Sequence, residues 1–379
     1  MAPYRVLIVI PGAGIGGIAT GLLGVLKHLP KRQYQIVVAT LQIRSVVKLL
    51  RKHGIRCIVL PSKNRLRYLQ NFIAREKIQL IQSCDSASEG ALVAQQLGLP
   101  HIWYVGTNVE LAFKAPSKES LKTFRFMIDR LSNKVVVQSR ALAKDVFPSL
   151  AKDRLCVIPW GVEKNASSHL PSKGWLKKKL GFPNDSPLIA MVGNFYPAKR
   201  HLDFVKAASM IYQKVPRARF LIAGNTVGNS SSAYRTSTQY RKQIVNSVRQ
   251  LKLQKVLVMT NFSYDARQSW YGGLNLLVVP SYEGMSQAML EAGISGVPIV
   301  AADAGGVREV IQSGRSGLLV PYKNSKKIAE AAIKILSHEK LNRKLSKNIR
   351  HHILSKLTSS EQAKKFDRLF RSLLLAKKE

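Results

Sequence analysis

Apolar runs alternate with amphipathic ones along the chain. Val6–Ile10, Gln35–Thr40, Cys57–Leu60, Leu80–Ser83, Ile102–Val105, Lys134–Gln138 and Leu155–Ile158 are short and β-rich. Between them, stretches such as Ser45–His53 and Ser139–Val146 carry helical periodicity. Continuous apolar strands are buried on both faces, and helices between them build parallel sheets. The pattern lapses near Glu163–Pro187 into Ser, Lys, Asn and Pro, which predicts a linker. It restarts at Leu188–Val192 and continues through Phe220–Ala223, Val256–Met259, Leu276–Pro280, Ile299–Ala302 and Gly317–Val320. Ser359–Ala376 reads as one helix, with Phe366, Leu369, Phe370 and Leu373 on one face. The predicted fold is α/β, with two Rossmann-like, doubly wound parallel-sheet domains facing a cleft. They cover residues 1–165 and 166–355, and a C-terminal helix over 356–379 packs back toward the first. Open parallel sheets bind ligands at the carboxyl ends of their strands.

Composition adds a strong charge. The chain has 379 residues, with 60 Lys and Arg against 21 Asp and Glu, net +39. Residues 1–170 hold 25 basic and 9 acidic side chains, leaving 35 and 12 for the rest. Both halves therefore favour anionic partners such as nucleic acid, anionic lipid or phosphorylated metabolites. A general basic bias of the proteome explains the excess equally well. Cys57, Cys84 and Cys156 are far apart and in no metal-ligand spacing, which fits reduced cysteines in a cytosolic protein. Val6–Leu26 is uncharged and about long enough to span a bilayer. Pro11 and six glycines interrupt it, so a strand, turn and helix are expected instead.

The turn in that segment carries Gly12-x-Gly14-x-x-Gly17, the glycine spacing of a dinucleotide-binding loop. Such a loop needs an acidic residue about 20 positions on to hold the ribose. Here the second strand ends Ala39-Thr40-Leu41-Gln42, and the first acidic residue in the chain is Glu76. Arg44 is available for a 2′-phosphate, so an NADP- or flavin-dependent oxidoreductase stays open as an alternative. What remains is a loop suited to approach a phosphate closely, ahead of a helix N-terminus.

The most informative stretch is PSYEGMSQAMLEAGISGVPIVAADAGGVREVI, Pro280–Ile311. A strand ends at Pro280, Glu283 and Gly284 follow, and a helix is predicted to begin near Met285–Ser286. Eight positions on a continuous helix would put Glu283 and Glu291 about 80° and about 12 Å apart, too far for a tight acid–base dyad. With Glu283 in the preceding loop, both carboxylates reach different points of one extended ligand. The amides of Gly284, Met285 and Ser286 suit a phosphate between them. An ordinary capped helix with two surface glutamates is the plain alternative.

Pro280–Ile311 resembles the signature of the retaining glycosyltransferases of family four, which have the GT-B architecture. The matching residues are Pro280-Ser281, Glu283-Gly284, Glu291-Ala292, Gly296, Pro298, Gly305-Gly306 and Glu309. MVGNFYPAKRHLDFVKA, Met191–Ala207, is similar to the family's phosphate-binding stretch, and SGRSGLLVP, Ser313–Pro321, to a further segment. VIPWGVE, Val157–Glu163, resembles the end of the family's first domain, and Ser139–Val146 the helix before it. The resemblance implies an enzyme that moves a sugar from a UDP- or GDP-type nucleoside diphosphate sugar, with no cofactor and no metal. It gives Glu291 to the ribose hydroxyls, Glu283 to the donor sugar and Lys199 to the diphosphate, with Arg200 beside it. Gly193 and Asn194 belong to the same phosphate stretch, Met285 and Ser286 bind the distal phosphate, and Phe262 and Ser263 lie in the region of base contacts. Gly14, Gly16 and Gly17 sit where the family has its first-domain glycine loop.

Three departures stand out. Asn194 replaces an arginine of the family pattern, Trp160 replaces an asparagine, and Ile102–Asn108 lacks the cleft histidine of many members. His101, at the start of that strand, reads as structural. Asp85, Asn108 and Glu110 follow strand ends and are candidates for the acceptor side. Phe113–Lys134 predicts an amphipathic helix with Leu121, Phe124, Ile128 and Leu131 on one face. Lys114, Lys118, Lys122 and Arg125 lie elsewhere on it. Such a helix suits an anionic membrane surface; a core helix with a solvated charged face is the plain alternative. The expected acceptor is a glycan or lipid-linked molecule of cell-envelope polysaccharide, lipopolysaccharide or glycolipid synthesis. The expected location is cytoplasmic, peripheral on the inner face of the membrane. A basic nucleic-acid-binding protein is the non-enzyme alternative. No recognition motif is visible, so no specific nucleic acid is expected.

Overall fold

A computed structural model describes residues 2–11, 17–41, 44–106, 118–166, 173–226, 231–262 and 267–376. Two compact units divide the chain. One is Met1–Gly161 with Ser359–Glu379, and the other is Val162–Thr358.

The first unit holds β1 (Tyr4–Ile10), β2 (Tyr34–Thr40), β3 (Arg56–Val59), β4 (Leu80–Cys84), β5 (His101–Val105), β6 (Lys134–Val137) and β7 (Leu155–Val157). They form one sheet in the order β3-β2-β1-β4-β5-β6-β7, parallel throughout. Val6 to Ile10 are at most 2% exposed, as a central strand covered on both faces requires. The uncharged Val6–Leu26 segment divides into β1 and the start of a helix, Gly17–His28. Among the described residues no helix is long and apolar enough to cross a membrane.

The Ser359–Ala376 helix belongs to this unit and packs against the Gly17–His28 helix. Its buried face is Phe366, Leu369, Phe370 and Leu374, while Leu373 is half-buried. Steps of four from Phe366 through Phe370 end on Leu374, so the stripe turns one residue past the predicted position. Phe370 meets Tyr34 edge-on at 5.8 Å, and the Tyr34 hydroxyl donates to Asp367 Oδ1 at 2.8 Å. Burial, then the Asp367 carboxylate, pushes that phenol above its ordinary range.

The helix Lys118–Leu131 buries Phe124 and Ile128 in the core, with Phe124 edge-on to Trp103 at 5.6 Å. Leu121 is outside the described side chains. The face left to solvent carries Lys122, Arg130 and Phe126, which is 62% exposed.

The second unit holds β8 (Leu188–Val192), β9 (Arg219–Ala223), β10 (Leu257–Thr260), β11 (Leu276–Val279), β12 (Ile299–Ala302) and β13 (Leu318–Val320). All are parallel, in the order β10-β9-β8-β11-β12-β13. Its core gathers Phe195, Phe204, Phe220 and Ile244 around the strands. The stretch read as a linker contains a short helix, Lys173–Lys179, anchored by the fully buried Leu176. Seven residues with three consecutive lysines are too few to display a helical period.

Strand order reverses twice, between β1 and β4 in the first unit and between β8 and β11 in the second. At such switch points the loops after neighbouring strands diverge and leave a crevice for a ligand.

Candidate active site

In the second unit the loops after β8 and β11 flank the switch point. β8 leads into Gly193, whose amide donates to Ala223 O at 2.9 Å. The His201 ring, with Nε2 3.2 Å from Gly193 O, holds the other side of the same residue. Burial lowers His201 to about 4, so the ring is neutral at physiological pH. Asn194 Oδ1 accepts from Asn225 N at 3.3 Å, and Phe195 beside it is fully buried. A single 3-10 turn, Pro197–Lys199, then meets the helix His201–Lys214. Arg200 between them is left-handed, φ +62°. Its Nε donates to Asp203 Oδ2 at 2.6 Å, and its guanidinium lies 5.8 Å from the centre of the Tyr322 ring.

After β11 the chain passes through Pro280 and the buried Ser281 to Glu283. Lys199 Nζ and Ser281 Oγ both donate to Glu283 Oε1 at 2.6 Å. The backbone of Glu283 is fixed as well, since its carbonyl accepts from Gly306 N at 2.8 Å. Gly305 makes this approach feasible. Its φ is +66°, and a Cβ there would run into the Glu283 carbonyl oxygen. The Glu283 side chain is 11% accessible and that of Lys199 33%, so the carboxylate is shielded and the ammonium partly open.

Gly284, Met285 and Ser286 follow, all buried. Ser286 is the N-cap of the helix Gln287–Ile294, has extended backbone angles and makes no side-chain cap bond. A helix start presents N–H groups without intrahelical partners and favours anions. Glu291 lies on this helix, 7% exposed, and Glu283 lies in the loop before it. The structure therefore joins Lys199, Ser281 and Glu283, while Arg200 is engaged by Asp203 and Glu291 lies on the helix Gln287–Ile294. Phe262 follows β10. Asn225 brackets it, with Nδ2 donating to Phe262 O at 2.9 Å and Oδ1 accepting from Phe262 N at 3.2 Å. The Phe262 ring stands edge-on to Trp270 at 5.9 Å. Ser263 lies outside the described residues.

In the first unit, Gly17 lies under Trp160. A Cβ on Gly17 would run into the indole, and Gly21 one turn on lies beneath the same ring. The indole Nε1 donates to the Tyr104 hydroxyl. The missing side chain at 17 thus makes room for a side chain of this chain. Gly14, Gly16, Asn108 and Glu110 lie outside the described residues. Asp85 follows β4 with φ +46° and is 4% exposed. Its Oδ1 accepts from Gly106 N at 2.7 Å, and its carbonyl accepts from Trp103 Nε1 at 2.8 Å. It pins the turn after β5. His101 is buried with Nε2 3.0 Å from Ser83 Oγ, and burial lowers it to about 3. Among the described residues no group of three His, Cys, Asp or Glu could hold a metal ion.

Ser281, His201 and Asn225 shape this site without having been assigned roles from the sequence. Ser281 was visible as the second residue of the Pro280–Ile311 stretch, two before Glu283. His201 follows the Lys199-Arg200 pair. Nothing in the sequence singles out Asn225.

Two parallel α/β units, the second with a lysine and a glutamate on switch-point loops, define the GT-B class of transferase. The Anabaena protein HepE, solved with UDP and glucose, superposes with TM-score 0.85 at 18% identity, over 97% of this chain and 100% of that one. Sucrose-phosphate synthase from Thermosynechococcus elongatus gives 0.80 at 19%, over 98% and 100%. A profile described as Glycosyl transferases group 1 matches residues 173–352, and one described as Glycosyltransferase Family 4 matches 15–165. Jointly they span most of the chain, which belongs to the family 4 type of GT-B glycosyltransferases. Among curated relatives, the chain is 24% identical to an Escherichia coli UDP-Gal:alpha-D-GlcNAc-diphosphoundecaprenol alpha-1,3-galactosyltransferase. That alignment covers 82% of this chain and 79% of the relative. It is 26% identical to a D-inositol 3-phosphate glycosyltransferase of Streptomyces bingchenggensis, over 52% of this chain and 43% of the relative.

Proposed function

We propose that the chain moves a hexosyl group from a nucleoside diphosphate sugar to a glycan or lipid-linked acceptor, with retention of anomeric configuration and without a metal ion. The observation that carries this reading is the 2.6 Å bond of Lys199 to Glu283 on the two switch-point loops. A UDP-type donor is favoured by the UDP complex of HepE and by the donor named for the Escherichia coli relative. A lipid-linked acceptor is favoured by the diphosphoundecaprenol in that relative's name. The reaction would then serve cell-envelope polysaccharide, lipopolysaccharide or glycolipid synthesis at the inner face of the cytoplasmic membrane. An anionic lipid surface is the proposed partner of the first unit's Lys122, Phe126 and Arg130 face.

Departure of the nucleoside diphosphate leaves an oxocarbenium-like sugar and a new negative charge. Lys199 and the amides around Met285 and Ser286 supply fixed positive charge where that anion develops. Glu283 orients the donor sugar through its hydroxyls, and Glu291 holds the ribose. Arg200 is tied to Asp203 and contributes field rather than direct contact. The leaving phosphate takes the acceptor proton, so no protein nucleophile is required.

Purified protein with a panel of nucleotide sugars and lipid-linked acceptors tests this. Transfer is expected with one UDP-sugar, unchanged by a chelator, with the donor's anomeric configuration in the product by NMR. Lys199→Ala is expected to lower kcat by roughly 100- to 1000-fold, the scale of losing a charge-stabilising donor. An inverted product overturns retention, and full activity of Lys199→Ala overturns its role.

A further inference from the structure

The second unit carries a cavity of about 690 Å³ at the end of its sheet away from Lys199 and Glu283. Gly272–Asn275 and Ser295–Pro298, which precede β11 and β12, form part of its wall. The helix Glu339–Lys356 supplies the rest, with Arg343, Lys347, Arg350 and His351 on one face at steps of three and four. Lys177, only 7% exposed, also lines the cavity and donates to Asn184 O at 2.9 Å. No acidic residue lines it.

Two further observations separate this cavity from an ordinary solvated helix face. The basic helix is rigidly seated: Leu345, Ile349 and Ile353 are fully buried, and the two isoleucines fill the space a Cβ on Gly293 would take. Its basic face is therefore held toward the cavity. The side chains of Lys347, Arg350 and His351 also have no hydrogen bond or ion pair among the described residues. Arg343 pairs with Glu339, but Lys347 and Arg350, three positions apart on one face, are like charges that repel one another. An anion in the cavity would relieve that repulsion, and guanidinium groups match phosphate geometry. The volume suits a ligand of sugar-phosphate or nucleotide size.

We propose that this cavity binds a phosphate-bearing anion, at a site separate from the transfer site. The helix Gln287–Ile294 links the two places. It starts just after the Glu283 loop and ends at Ser295 in the cavity wall, whose hydroxyl donates to Glu291 O at 2.8 Å.

Hydrogen exchange of the full chain at low salt, read on peptides from 339–357, tests the proposal. The probes are inorganic pyrophosphate and phosphatidylglycerol vesicles, with the double variant Lys347→Glu/Arg350→Glu as control. Both replaced residues are exposed, and thermal melting checks that the variant folds. Pyrophosphate is expected to slow exchange in 339–357, with affinity lowered about tenfold or more in the variant. Protection by vesicles alone, also lost in the variant, makes the phosphate a lipid headgroup. No protection with either probe, or equal protection in the variant, overturns the site.

Discussion

Replacing Gly305 by alanine tests how Glu283 is held. Gly305 has φ +66° and ψ −141°, a region that L-residues adopt only at roughly 1–3 kcal/mol. The added methyl would also meet the Glu283 carbonyl oxygen and open the 2.8 Å bond from Gly306 N. Losing that bond is worth about 1 kcal/mol more, so the substitution should destabilise the second unit by roughly 3 kcal/mol. Gly314→Ala is the control. Gly314 has φ +76° but nothing within 4 Å of a Cβ, so only the backbone penalty of roughly 1 kcal/mol applies. For a unit of this size each kcal/mol moves the melting midpoint roughly 2–4 °C, which sets the expected gap between the variants at roughly 4–8 °C. Scanning calorimetry of both variants measures it. Transfer activity should fall in Gly305→Ala alone, because the displaced carbonyl belongs to the residue proposed to orient the donor. Equal midpoints for the two variants would refute the argument, since the Glu283–Gly305 contact would then not constrain the loop.

Ser281→Ala removes one of the two donors at Glu283 Oε1, a charge-assisted bond worth about 1.5–3 kcal/mol. A kcat lowered about tenfold or more with little change in KM is expected, and an unchanged kcat removes Ser281 from positioning. Gly17→Ala should cost about 1–3 kcal/mol of stability by forcing the Trp160 ring aside, and a Trp160→Ala background should erase most of that loss in urea unfolding. Burial holds His101 at about 3 and His201 at about 4, below the ordinary 6.5. The stability this contributes is complete above pH 6.5. It falls as pH drops toward the folded values, because there the unfolded chain binds more protons, by up to about 1.4 kcal/mol per pH unit for each ring. Urea midpoints followed downward from neutral pH should show this decline, a smaller one in His101→Gln, and a flat profile in the native protein would contradict it. Phe370→Ala should destabilise the first unit by about 3–5 kcal/mol, measured by the same unfolding.

Much of this architecture was legible because parallel strands buried on both faces leave continuous apolar runs. Leu188–Val192 coincides with β8, and Leu276–Val279 needs no context to read as a strand. The Lys173–Lys179 helix escaped because one buried leucine in seven residues leaves no period to detect. Strand order is a property of pairing across long separations. Hence the switch point between β8 and β11, which makes the Lys199 and Glu283 loops neighbours, was not in the local pattern. The two residues are 84 positions apart, and only the fold brings them to 2.6 Å.

The glycines divide along the same line. Sequence shows that a residue is small but not which neighbour requires it. Gly305 is small for the Glu283 carbonyl, which serves the candidate site. Gly17 closes a loop with dinucleotide-like spacing, yet the group that would collide with its side chain is the indole of Trp160, 143 positions later. That indole occupies a place where the family pattern has asparagine, and it bonds to Tyr104 on β5. Glycine at 17 and the tryptophan at 160 therefore fit one another. A ring filling the space above the Gly17–His28 helix leaves no room for a side chain at 17, whereas at 21, one helical turn further on, a Cβ would be in ordinary contact with it. Asparagine at 160 would leave that space open.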